Sequence, residues 1–166
     1  MGEAPIEIVD YDTSWPESFR VEQRALEAVL KPWLAGPIEH VGSTAIPGMP
    51  AKPVIDIMAG VADLENSRPA IEAVGKLGYV YFPYRTDIMH WFCKPSAAFR
   101  THHLHLVPVG SARWIDCLAF RDAIRNDPQL AEEYAALKIR LAQEFKFDRE
   151  AYTEGKTPFI GRVLSR

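Results

Sequence analysis

Between His40 and Val61 the chain reads HVGSTAIPGMPAKPVIDIMAGV, and this stretch restricts the fold more than any other. Isoleucine and valine flank a connection punctuated by Pro47, Gly48, Pro50 and Pro53. That pattern predicts two strands, 38–41 and 54–61, joined by a constrained loop. The second strand is apolar except for Asp56. An acid in a buried strand is costly unless it is paired, hydrogen-bonded or ligating a cation. Gly42 lets the backbone approach a ligand closely, and Ser43 sets a hydroxyl beside it, with Thr44 next in line. The unit reads as an anion cradle facing a carboxylate, or as a tight loop with a satisfied buried acid; these residues alone admit both.

The flanking elements place this unit in one domain over residues 1–166. IEIVD near the start predicts a short edge strand. Ser14-Trp15-Pro16-Glu17 predicts a helix start with Ser14 as N-cap, and Phe19, Leu26, Val29 and Leu30 form its apolar stripe up to Lys31-Pro32. A second helix opens at Ser67-Arg68-Pro69 and closes at Gly78. YVYF and MHWFCK read as strands around a polar turn at 84–87, and HHLHLV as a further strand over 102–107. Helices follow over 114–125, over 128–145 with Asp127 before Pro128 as its cap, and over 158–164. This order indicates an α+β fold: a mixed β-sheet with helices packed mainly on one face, leaving part of the other face for chemistry.

GSTAIPGMPAKPVIDIM resembles the signature of the GrpB family (UPF0157), and THHLHLV, FRDAIRNDP, YAALK and YTEGKTPFI extend the likeness along nearly the whole chain. That family is similar in fold to the nucleotidyltransferase superfamily. The resemblance implies transfer of a nucleotidyl group from a nucleoside triphosphate to a small-molecule acceptor. Gly42 and Ser43 would hold the triphosphate, Asp56 a Mg2+ ion, and Lys52 would balance developing charge. The superfamily pattern has a second acid two residues after the first, where this chain has Met58. A thioether is a poor ligand for magnesium. The resemblance also admits a non-catalytic binding module for a nucleotide or another phosphate-bearing ligand, with a CoA-related accessory role, because the family domain occurs attached to dephospho-CoA kinase.

A different ligand set comes from the histidines. His103 and His105 share one face of their strand, while His102 lies with Leu104 and Leu106 on the other. With a distant Asp56, such a pair suits Zn2+ or Mn2+, and hence a mononuclear metal hydrolase. The same residues also fit a metal-free pocket in which one histidine hydrogen-bonds Asp56. Arg85, Arg100 and Arg121 are candidate anion forks. Tyr134 and Lys138 stand four apart on one helix and point the same way, and Lys156 is placed to reach the same pocket.

The net charge of −3 gives no global attraction to nucleic acid. No apolar run approaches the roughly 20 residues that span a bilayer. The first ten residues lack the basic and apolar segments of a secretory signal. Two cysteines, Cys93 and Cys117, make no disulfide framework or metal-type pair, and a reducing cytoplasm fits best. The expected partner is a phosphate-bearing small molecule, without nucleic acid or membrane; oligomeric state leaves no mark in the sequence.

Overall fold

The Asp56 strand lies inside a five-stranded mixed sheet. The computed structural model describes residues 4–166, with strands β1 (Leu34–Val41), β2 (Ile55–Val61), β3 (Val80–Tyr81), β4 (His90–Pro95) and β5 (Arg100–Pro108) in the order β1-β2-β5-β4-β3. β2 runs antiparallel to β1 and parallel to β5, and β4 and β3 continue the sheet in antiparallel fashion. Its sequence, IDIMAGV, is almost wholly apolar, as a strand covered on both faces requires.

Alternation along the strands separates the two faces. Ile55, Ile57, Ala59 and Val61 of β2 join Leu104 and Leu106 of β5 under α1 (Trp15–Leu30) and α2 (Ala70–Gly75), where Phe19, Leu26, Leu30 and Val74 complete the largest core cluster. On the opposite face Val41, Met58, Trp91, Cys93 and Val107 meet Trp114 of α3 (Ala112–Asn126). α4 (Pro128–Glu144) and α6 (Thr157–Leu164) gather around the connection between β1 and β2, and α5 (Arg149–Glu154) sets Tyr152 beneath Lys52 of that connection. Ile46 and Met49 of that connection are buried with Leu130, Tyr134, Phe159 and Val163. The proline-rich loop is therefore the seat of the C-terminal helices. A short 3-10 turn, Ser43–Ala45, opens it.

Asp127 caps α4 as its position before Pro128 predicts, accepting from the amides of Gln129 (3.0 Å) and Leu130 (3.1 Å). Two expectations are corrected. IEIVD forms no sheet strand: Val9 makes one isolated bridge to Ala51, and Ile6 is buried with Leu141, Ala142 and Tyr152 instead. Its apolar side chains find their partners on helices that the local pattern does not reveal. Ser14 does not cap α1; its hydroxyl donates to Asp12 Oδ1 at 2.6 Å and its backbone is already helical. α5, only six residues long, escaped the periodicity argument altogether.

Among the described residues no helix is long and apolar enough to cross a membrane, and Cys93 and Cys117 are both free thiols.

α3 reaches the sheet because Gly60 has no side chain there. An added Cβ would stand 2.6 Å from Val109 Cγ2 and 3.0 Å from the Trp114 ring. Gly60→Ala is expected to lower stability by about 1–3 kcal/mol through overpacking. Urea denaturation checks this, and an unchanged midpoint would mean that α3 yields freely.

Candidate functional site

Because β2 and β5 are parallel with Asp56 opposite His103 and Met58 opposite His105, Asp56 and both histidines share one face. His105 Nε2 and Asp56 Oδ1 are hydrogen-bonded at 2.6 Å. Burial alone would raise the Asp56 carboxyl, but the His105 and His103 rings and the Arg113 guanidinium outweigh it and hold the group well below the usual carboxylate range. Gly42, at φ +70°, lies so close that a Cβ there would approach Asp56 Oδ2 to 2.8 Å. The glycine is thus required by the left-handed backbone and by the carboxylate beside it.

Three lysines converge on the same place. Lys52 leaves the loop just before β2, Lys138 comes from α4, and Lys156 from the junction of α5 and α6. The ammonium groups of Lys52 and Lys156 lie 4.9 and 4.6 Å from the centre of the Tyr152 ring, and that of Lys138 lies 4.9 Å from the centre of Tyr134. Lys138 also donates to the Pro50 carbonyl. Burial pushes the Lys52 ammonium down to about 8, reinforced by Arg149 and Arg100 and opposed by Asp56. Burial, then repulsion by Lys156 and Lys52, brings Lys138 to about 7. Lys156 falls to about 7 through burial and the Lys52 charge, again against the pull of Asp56. Strongly perturbed lysines crowded beside one carboxylate make this a candidate functional site.

The remaining polar atoms are as telling. Among the described residues the buried side-chain nitrogens and oxygens without a hydrogen-bond partner are His103 Nε2, His105 Nδ1 and Arg113 Nε. All three belong to the groups that surround Asp56. Burial pushes the His103 imidazole down to about 3, so it is neutral near pH 7.

The other sequence candidates divide. Ser43 stands beside the Tyr134 hydroxyl, which burial drives up to about 12. Thr44 is spent on the loop: its hydroxyl is hydrogen-bonded to His40 Nε2 at 2.9 Å and donates to the Val54 carbonyl at 3.4 Å, while the His40 ring stacks on Phe19. Arg121 ties α3 to β1, donating to Glu39 Oε2 at 2.7 Å and to the His40 carbonyl at 3.1 Å. Arg85 is exposed in the β3–β4 turn at φ +48°. Arg149 and Arg113 are additions that sequence reasoning missed; Arg149 also donates to the carbonyls of Ala97 and Ala98. Neither lies in a motif, and only the docking of α3 and α5 brings them in.

Met58, 1% exposed, is enclosed by the core on the α3 side of the sheet. Among the described residues no three histidine, cysteine or acidic side chains are grouped to hold a metal ion, and His105 Nε2 is directed at Asp56 itself. A lone carboxylate ringed by cations does not fit a two-metal centre.

The model of the family described as GrpB protein matches residues 5–166. A UPF0157 protein of Pseudomonas aeruginosa is 38% identical over 166 residues, covering 97% of this chain and 67% of that one. The UPF0157 protein YqkA of Bacillus subtilis is 34% identical over 155 residues, covering 93% of this chain but only 45% of its own length. The chain thus spans between about half and two thirds of these two curated relatives. Among solved structures, GrpB from Enterococcus faecalis superimposes with a TM-score of 0.85 at 30% identity, covering 96% of this chain and 95% of that one. Matched over residues 5–166, the chain belongs to the GrpB family.

Proposed function

We propose that this chain binds a phosphate-bearing small molecule, with Lys52, Lys138 and Lys156 meeting its anionic oxygens and Gly42 and Ser43 forming the adjoining wall. The observation that carries this reading is the coincidence of crowded, partly neutralised lysines with three unpartnered nitrogens around Asp56. Buried like charges destabilise a protein unless something of opposite sign answers them. One carboxylate answers them only in part, and a phosphate chain supplies both the charge and the acceptors. A relative from Mycolicibacterium paratuberculosis, 28% identical, is named dephospho-CoA kinase, which accords with phosphate-bearing ligands near this fold.

Magnesium-dependent nucleotidyl transfer, the finer reading, fits these residues poorly. Asp56 is a single acid already bonded to His105, and Met58 holds the second acid's position inside the core. Binding without transfer uses every group as it stands.

Tripolyphosphate is the direct probe. At 100 times its dissociation constant it should add about 2.7 kcal/mol to unfolding stability. Lys156→Met should weaken binding at least about tenfold, worth about 1.4 kcal/mol, without lowering the stability of the unliganded protein. A wild type whose midpoint ignores tripolyphosphate contradicts the proposal.

The pH dependence has a definite sign. The unfolded chain keeps a lysine proton to about pH 10.4, whereas folding lowers Lys156 to about 7. Between these values the unfolded state binds more protons, so unliganded stability should rise with pH. Below about 7 the full penalty of the charged lysine is present. The advantage of Lys156→Met over wild type should therefore be greatest near pH 6.5 and shrink by pH 9.5, as paired urea melts would show.

Asp56→Asn tests the counter-charge. Its folded-state carboxyl is depressed, so its contribution is present above the unfolded carboxylate range and disappears on acidification. Replacement at pH 7 should cost about 1.5–3 kcal/mol, the worth of a hydrogen bond to a charged group. Tripolyphosphate should not restore the lost pairing with His105. No loss at pH 7, with the acid limb of the melt unchanged, would remove Asp56 from the charge balance.

A further inference from the structure

A phosphate on the lysines gives Asp56 no contact of its own, and the second oxygen of that carboxylate is uncommitted. Oδ1 is held by His105 at 2.6 Å, whereas Oδ2 has no hydrogen-bond partner among the described residues. The Asp56 side chain keeps 29% of its surface open to solvent, so a ligand can reach it. Gly42 stands beside Oδ2, where a Cβ would come within 2.8 Å, and the missing side chain keeps that oxygen uncovered. Lys52, Lys156 and Arg113 all feel this carboxylate, yet among the described residues none closes on it as an ion pair. The two half-buried lysines lie over the Tyr152 ring instead, at 4.9 and 4.6 Å from its centre. A reachable carboxylate thus stands beside reachable ammonium groups, with the two signs unjoined.

We propose that the ligand is zwitterionic, an aminoalkyl phosphate whose phosphate lies on the lysines and whose ammonium donates to Asp56 Oδ2. The inference rests on the phosphate reading and adds the substrate class. An ionised carboxylate only accepts hydrogen bonds, so a bare phosphate offers it nothing and is repelled by it. An ammonium a few bonds from that phosphate turns the repulsion into a charge-assisted hydrogen bond. His103, neutral near pH 7 and on the same face, brings no positive charge to compete for Oδ2. His105 holds the other oxygen and thereby fixes the direction in which Oδ2 is offered. One face of the site then reads the anionic end of the molecule, and Asp56 reads its cationic end.

Isothermal titration calorimetry of the whole chain separates the two claims, with ethyl, hydroxyethyl and aminoethyl phosphate as probes and tripolyphosphate as the reference anion. The titrations are made at about pH 7, where a primary ammonium carries its charge. Aminoethyl phosphate should bind at least about tenfold tighter than ethyl phosphate, and hydroxyethyl phosphate, similar in size but uncharged at that end, within about twofold of ethyl phosphate. Asp56→Asn should abolish this preference by weakening aminoethyl phosphate and leaving ethyl phosphate no weaker. Because the comparison among ligands is made on the wild type, it decides the point even where Asp56→Asn does not fold. Suppose tripolyphosphate binds while aminoethyl phosphate binds no better than ethyl or hydroxyethyl phosphate, or while Asp56→Asn keeps the preference. Either result would overturn the zwitterionic ligand and leave the phosphate reading standing. Failure of all four probes to bind would overturn both.

Discussion

At the parallel junction of β2 and β5 one carboxylate, Asp56, is hydrogen-bonded to His105 and faces Lys52, Lys156, His103 and Arg113. Every cation that folding draws toward this point is partly desolvated, and each one disfavours the next. Asp56 is the negative charge that opposes the loss of protons from Lys52 and Lys156. Its own ionisation is favoured in turn by the hydrogen bond with His105. The site is thus a balance of mutual perturbations, and removing one member alters the protonation of the others.

What brings these charges together is the loop between β1 and β2. Its prolines limit its conformations, and two of its buried side chains, Ile46 and Met49, are gripped by the C-terminal helices. Lys138 donates to the Pro50 carbonyl from 88 residues away. Tyr134 and Tyr152 serve packing and electrostatics at once: each is buried in a helix cluster and each lies under lysine ammonium groups. Aromatic faces soften the cost of burying those cations without neutralising them.

Much of this was legible in the residues because the governing rules are local. Period-two alternation put His103 and His105 on one face and His102 on the other, and the β2–β5 register then set Asp56 opposite His103. The i, i+4 spacing of Tyr134 and Lys138 fixed their common direction, and Asp127 before Pro128 marked the start of α4. The losses were tertiary. Arg121 reads as a free fork until Glu39 is found beside it, and IEIVD reads as a strand until Ile6 is seen packed on α4 and α5. Arg113 and Arg149 carry no local signal at all, since only the docking of their helices decides where a single arginine points. Met58 was visible as a departure, and its burial explains why an acid there would be expensive.

The Asp56–His105 contact spans 49 residues of sequence, and the lysines that complete the site arrive from the last thirty. Contacts of such separation close only after the entropy of a long loop has been spent. An emerging chain that has made all five strands therefore still lacks Lys138 and Lys156, so the Asp56–His105 pair forms before those two lysines can join Lys52 nearby. A nascent or clipped molecule that keeps the sheet would hold the carboxylate and its histidine without the two lysines that join Lys52 there.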